Sequence, residues 1–181
     1  ELAARLQVAG PEVLDLSGES KATREAYGVD DPSTASFGRR CLIARRLLER
    51  GVRFVQLFDW GGDIHGTGSG DDLVTQFPAK CKDVDQPIAA LMADLKRTGL
   101  LEDTLAIWGG EFGRTPMLEA RGGSKFRGRD HQPDAFSIWM AGGGVRAGHV
   151  HGSTGALGAA VHEDGVSVRD LQATVLHLLG F

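Results

Sequence analysis

The chain has 181 residues, 41% of them hydrophobic and 24% charged, with only 6 prolines, a balance that excludes a disordered, fibrous or disulfide-dense protein. Twenty basic residues against 24 acidic ones leave a net charge of -4, which removes the counterion-release term that drives binding to a nucleic-acid backbone, so no nucleic-acid partner is expected. The longest nearly apolar stretch, Phe136 to Val145, is broken by Ser137 and three glycines and falls far short of the roughly 20 residues that cross a bilayer, so no membrane span is expected.

Residues 1–32 read as a peripheral helical arm, because Gly10-Pro11, Gly18 and Tyr27-Gly28 punctuate short helical pieces ahead of a domain over residues 33–181. The start, Glu1-Leu2-Ala3, has neither Met nor a charged-then-apolar leader and reads as a processed chain or a piece of a longer one. From Ser36, the set Phe37, Cys41, Ala44 and Leu48 recurs at helical spacing, and Gly51 stops that helix. Val52–Phe58 is short, branched and aromatic and predicts a buried strand. A second helix is marked by Ile88, Leu91, Met92 and Leu95 and closes at Thr98-Gly99; its start lies near Asp71, with a kink at Pro87. Thr104–Trp108 and Ala135–Ala141 predict two further strands, and Ser167 caps a last helix with Val168, Leu171, Val175 and Leu178 on one face. Strands alternating with helices predict an α/β fold with a mostly parallel sheet. Cys41 and Cys81 lie far apart with no CxxC partner and read as two thiols, one disulfide staying open for an exported protein.

The chemistry-bearing residues follow the predicted strands, where open α/β sheets place their ligands. Asp63 and His65 come after the first strand, Glu111 and Arg114 after the second, and Arg129, Asp130 and His131 just before the third. Carboxylate oxygens and imidazole nitrogens at one edge suit a divalent ion such as zinc, manganese or magnesium, and Arg114 and Arg129 add forks for an anion. His149 and His151 stand at strand spacing and share one face, where a polar strand surface competes with metal binding. Gly142-Gly143-Gly144-Val145-Arg146-Ala147 satisfies a dinucleotide pattern, but the glycine-rich stretch after it cannot open the helix that such a site needs.

Gly110-Glu111-Phe112-Gly113-Arg114-Thr115-Pro116, followed by Gly128-Arg129-Asp130-His131 and Met140-Ala141-Gly142-Gly143-Gly144, resembles a bacterial sulfatase-like family of unknown function in the alkaline phosphatase superfamily. The resemblance extends over Asp63-Ile64-His65, Asp85–Leu91 and Ala173–Gly180, and so takes in nearly the whole chain as a C-terminal portion. It implies a doubly wound α/β/α alkaline-phosphatase-like fold and metal-assisted hydrolysis of phosphate or sulfate esters. Asp63, His65 and His131 would hold the first ion, which could be zinc, manganese, magnesium or calcium. Glu111 would complete the site or hold a second ion, Asp130 would be a ligand or would orient an imidazole, and Arg114 would bind the anionic ester as the catalytic cation. Phe112 stands where the superfamily places a histidine, and Thr115, the nearest hydroxyl, reads as a turn residue before Pro116 rather than a nucleophile. The resemblance further implies export to the periplasm. It also implies a missing N-terminal half, or another chain, that covers the sheet. The competing expectation is a noncatalytic exported protein that binds sulfated or phosphorylated polymers in the same groove.

Overall fold

A computed structural model of the chain describes residues 10–119 and 122–181; the part of the expected arm formed by residues 1–9 lies outside them. The chain forms two compact units, one of residues up to Gly62 with Pro78–Leu100, the other of Asp63–Phe77 with Leu101–Phe181.

The first unit is helical. Helix α1 (Lys21–Ala26) starts at Ser20, whose hydroxyl accepts the Thr23 N–H at 3.1 Å, and α2 (Ala35–Glu49) turns Phe37, Cys41, Leu42 and Ala44 inward at the spacing seen in the sequence. Helix α3 (Gln76–Arg97) runs through Pro87, which is buried. Tyr27, Val29, Phe37, Cys41 and Leu42 form the core cluster, with Leu16, Leu57, Val84, Ile88 and Leu91 packed around it. Two of those five come from the segment expected to be a peripheral arm. Each such fully buried side chain contributes about 1.5–3 kcal/mol over leaving it in water, and burial pushes the Cys41 thiol up to about 12. Both cysteines are free, Cys41 buried and Cys81 exposed.

Val52–Phe58 does not form the expected strand. Val55 and Leu57 face partly inward while Phe54 and Phe58 are exposed, so the alternation is present, but among the described residues no other backbone pairs with residues 53–57.

The second unit overturns the expected mostly parallel, doubly wound sheet. Its strands make three separate antiparallel pairs: β1 (Ala106–Trp108) with β4 (Trp139–Ala141), β2 (Gly113–Arg114) with β3 (His131–Gln132), and β5 (Ser153–Thr154) with β6 (Val161–Glu163). A parallel pair needs a crossover, usually helical. Residues 109–138, which join β1 to β4, contain the β2–β3 pair and no helix among the described residues, so the chain comes back antiparallel. Trp108 and Trp139 face each other across this pair, their rings stacked with centroids 6.4 Å apart. Gly142 ends β4 with φ +72°, tucked so tightly that a Cβ there would stand 2.3 Å from the carbonyl oxygens of Leu101 and Thr104. Helix α4 (Val168–Leu178) opens on a reciprocal cap between Ser167 and Asp170. No helix among the described residues is long and apolar enough to cross a membrane.

Candidate metal centre

Asp63, His65, Glu111, Arg114, Arg129, Asp130 and His131 all lie in the second unit, on two loops that backbone hydrogen bonds tie together. Ile64 is buried and its carbonyl accepts the Arg129 N–H at 3.0 Å, while His65 makes an isolated antiparallel bridge to Gly128. Leu73 N–H donates to the Arg127 carbonyl at 2.9 Å, and the Asp72 carboxylate accepts the Arg127 N–H at 2.9 Å. Asp71 closes the first loop on itself by accepting the N–H groups of His65 at 2.7 Å and Thr67 at 2.9 Å. This close approach needs Gly128: a Cβ there would meet the His65 carbonyl carbon at 1.9 Å and the Gly66 nitrogen at 2.2 Å.

The β2–β3 pair sets the remaining residues in place. Its register puts Arg114 opposite His131, and the Thr115 N–H extends it by donating to the Asp130 carbonyl at 2.9 Å. Farther along the intervening loop, Glu119 N–H donates to the Gly128 carbonyl at 2.9 Å, which returns the chain to the His65 bridge.

The side chains converge on one oxygen. Asp63 Oδ1 lies 2.8 Å from His65 Nε2, 3.3 Å from His131 Nε2 and 2.8 Å from an Arg114 terminal nitrogen. Arg114 beside Asp63 holds its carboxyl below the usual carboxylate range, against the cost of desolvation, and the two histidines add to the effect. The carboxylate is therefore ionised at neutral pH. Glu111 Oε1 approaches Arg114 at 3.1 Å and His131 Nδ1 at 3.2 Å. That His131 nitrogen and the Arg114 nitrogen nearest Asp63 are buried, yet neither is aligned for a hydrogen bond. The imidazoles stand with centroids 5.0 Å apart, and the Phe112 ring meets His131 edge-on at 5.6 Å.

Asp63, His65 and His131 thus offer one oxygen and two nitrogens within 4.8 Å of one another, a group that could hold a metal ion. His65, Glu119 and Asp130 form a second such group. Asp130 is exposed; its Oδ1 accepts the His131 backbone N–H at 2.8 Å, bracing the backbone of that candidate ligand. Arg129, expected as a second anion fork, donates one terminal nitrogen to the Thr115 carbonyl at 2.7 Å. The Thr115 hydroxyl is occupied, donating to Met117 O at 3.1 Å and accepting the Asp130 N–H at 3.2 Å. His149 and His151 are exposed, with rings 6.1 Å apart, and join neither group.

Sequence reasoning missed Glu119. Its carboxylate Oε2 lies 2.6 Å from His65 Nδ1, and both side chains are only about one-eighth exposed, at 12% and 13%. A lone glutamate after Met117-Leu118 carries no pattern; the sole clue was its place in the loop between Glu111 and His131.

A family model described as "Protein of unknown function (DUF1501)" matches residues 1–181, and the chain belongs to that family. No curated protein and no solved structure matches it.

Proposed function

We propose that Asp63, His65 and His131 hold a divalent ion, zinc foremost, and that the protein is exported and hydrolyses phosphate or sulfate esters at this centre. The carrying observation is the convergence of one ionised carboxylate oxygen and two imidazole nitrogens from separate loops. The donor set fits the ion. Ligands about 2.0–2.1 Å from a tetrahedral zinc stand roughly 3.4 Å from each other, and the contacts to Asp63 Oδ1 already measure 2.8 and 3.3 Å. Three protein ligands leave a position open, as catalytic rather than structural zinc sites do.

A bound ion supplies Lewis acidity to the ester oxygen. The residues of the chain do the rest. Arg114, shared between Asp63 and Glu111, carries the planar fork that would match the oxygens of a bound phosphate or sulfate. Glu111 faces His131 Nδ1, so the ring's Nε2 keeps its heading toward Asp63. Phe112 packs against the same ring and limits its rotation. The choice of ester rests on the resemblance of the Gly110–Pro116 and Gly128–His131 segments to sulfatase-like proteins.

Metal analysis of the purified protein and hydrolysis of aryl phosphate and aryl sulfate test this reading. One bound divalent ion and turnover lost in His65→Ala are expected. A metal-free protein with no hydrolysis of either ester sinks it. The second reading, binding of sulfated or phosphorylated polymers without turnover, is favoured by the Thr115 hydroxyl, which is tied into the loop by donating to Met117 O and accepting the Asp130 N–H. Retention on a sulfated or phosphorylated matrix without ester hydrolysis would select it.

A further inference from the structure

The contact of Glu119 with His65 bears on which nitrogen of His65 can bind an ion. An imidazole in its neutral form has one N–H and one lone pair, and the partner of the N–H fixes which nitrogen is left to coordinate. His65 faces carboxylates on both sides: Glu119 Oε2 at 2.6 Å from Nδ1 and Asp63 Oδ1 at 2.8 Å from Nε2. The two differ in surroundings. Glu119 is 12% exposed and Asp63 60% exposed, so the hydrogen bond to Glu119 is the less screened and the stronger.

Glu119 is also held in place through its backbone. Its backbone N–H donates to the Gly128 carbonyl at 2.9 Å, and Gly128 bridges to His65. The loop that supplies His131 at its far end therefore carries the carboxylate that addresses His65, so one segment orders both imidazoles.

From this geometry we propose that Glu119 is the positioning residue of the centre: it accepts the Nδ1–H of His65, fixes that tautomer and leaves Nε2 as the lone-pair donor beside Asp63 and His131. The role rests on the metal reading above. Glu119 is not itself a ligand here, since coordination by Glu119 would draw the ion to Nδ1, away from the Asp63 oxygen that both Nε2 atoms approach. Carboxylates behind a coordinating histidine raise its basicity and fix its ring, and their loss costs about 10 to 100-fold in metal affinity.

The test compares wild-type, Glu119→Ala and Glu119→Gln full-length chains by two readouts. The first is the nitrogen-15 NMR pattern of His65 in metal-free protein at alkaline pH, assigned with a His65→Asn control. The second is cobalt(II) affinity by competition titration. In wild type, His65 should carry its proton on Nδ1. Glu119→Ala should lose that bias and bind cobalt(II) about 10 to 100-fold more weakly, while Glu119→Gln, which keeps an acceptor oxygen, should recover the tautomer and part of the affinity. An unchanged tautomer and affinity in Glu119→Ala would overturn the proposal, as would a cobalt(II) complex bound through Nδ1. A wild-type chain that takes up no cobalt(II) refutes the metal reading and this role with it. A wild-type chain that binds normally, with Glu119→Ala unaltered, refutes the role alone.

Discussion

A Cβ on Gly128 would stand 1.9 Å from the carbonyl carbon of His65, so the backbones of the two candidate ligand loops meet at a point that admits no side chain. Gly128→Ala must push the loops apart or break the His65 bridge. Overpacking of this kind costs about 1–3 kcal/mol, and the separation should also weaken metal binding, because Asp63 and His65 sit on one loop and His131 on the other. Urea denaturation and cobalt(II) titration measure the two effects. Wild-type values for both would show that the contact is not needed.

Acid should loosen this junction through Asp72. The Arg127 N–H, donated at 2.9 Å, holds its carboxyl below the usual range despite desolvation, with Val74 and Thr75 donors assisting. A depressed folded-state value means that the contribution is complete above the unfolded value of about 3.9 and disappears as pH falls through it toward the folded one. Asp72→Asn should accordingly be less stable than wild type near neutrality, with the gap closing below about pH 4. A gap that stays constant with pH would mean that the charge on Asp72 plays no part.

The helices were legible because their determinants are local. Phe37, Cys41 and Ala44 recur at helical spacing, and Ser167 is followed three residues later by Asp170, which completes its cap. The strands were legible only as extended segments. Val52–Phe58 carries the right alternation, yet pairing depends on a distant partner that alternation does not specify, and no pairing forms among the described residues. Thr104–Trp108 and Ala135–Ala141 do contain paired strands, but their direction depends on the connection between them, and a helix-free connection makes them antiparallel. The site needed no parallel sheet to assemble. The β2–β3 register and the His65–Gly128 bridge bring the candidate residues together instead. Glu119 escaped notice because its meaning comes from the fold of one long loop.

In the first unit, Glu19 holds two arginines at once. It contacts Arg45 at 2.8 Å and Arg46 at 2.5 Å, all three side chains being nearly nine-tenths buried, and Arg45 also contacts Glu49 at 2.7 Å. Removing one partner from a buried ion cluster leaves an uncompensated charge, which costs about 3–5 kcal/mol when burial is complete. Because a little solvent reaches this cluster, Glu19→Ala should fall near the lower end, about 3 kcal/mol. Arg45→Met with Glu19→Met, which removes charges from both sides, should cost less than the two single changes added together. Strict additivity in denaturant titrations would show that these contacts are energetically independent.

His131 and Asp130 are neighbours in sequence but differ in what they can do at the centre. His131 turns Nε2 to within 3.3 Å of Asp63 Oδ1 and belongs to the same three-donor group as His65. Asp130 accepts the His131 backbone N–H at 2.8 Å, so it braces the ligand without being one of the three. Losing a carboxylate that braces only the backbone should cost less metal affinity than losing a ligand. His131→Ala should therefore bind cobalt(II) more weakly than Asp130→Ala, and only the histidine variant should change the visible spectrum of the cobalt(II) form, because only there does the donor set change. Metal coordination also requires a neutral imidazole, so wild-type affinity should decline in acid as protons compete with the ion. Removal of His131 should flatten that decline. Equal affinities and identical spectra in the two variants would show that the Gly128–His131 segment shapes the loop and leaves the ion to other donors.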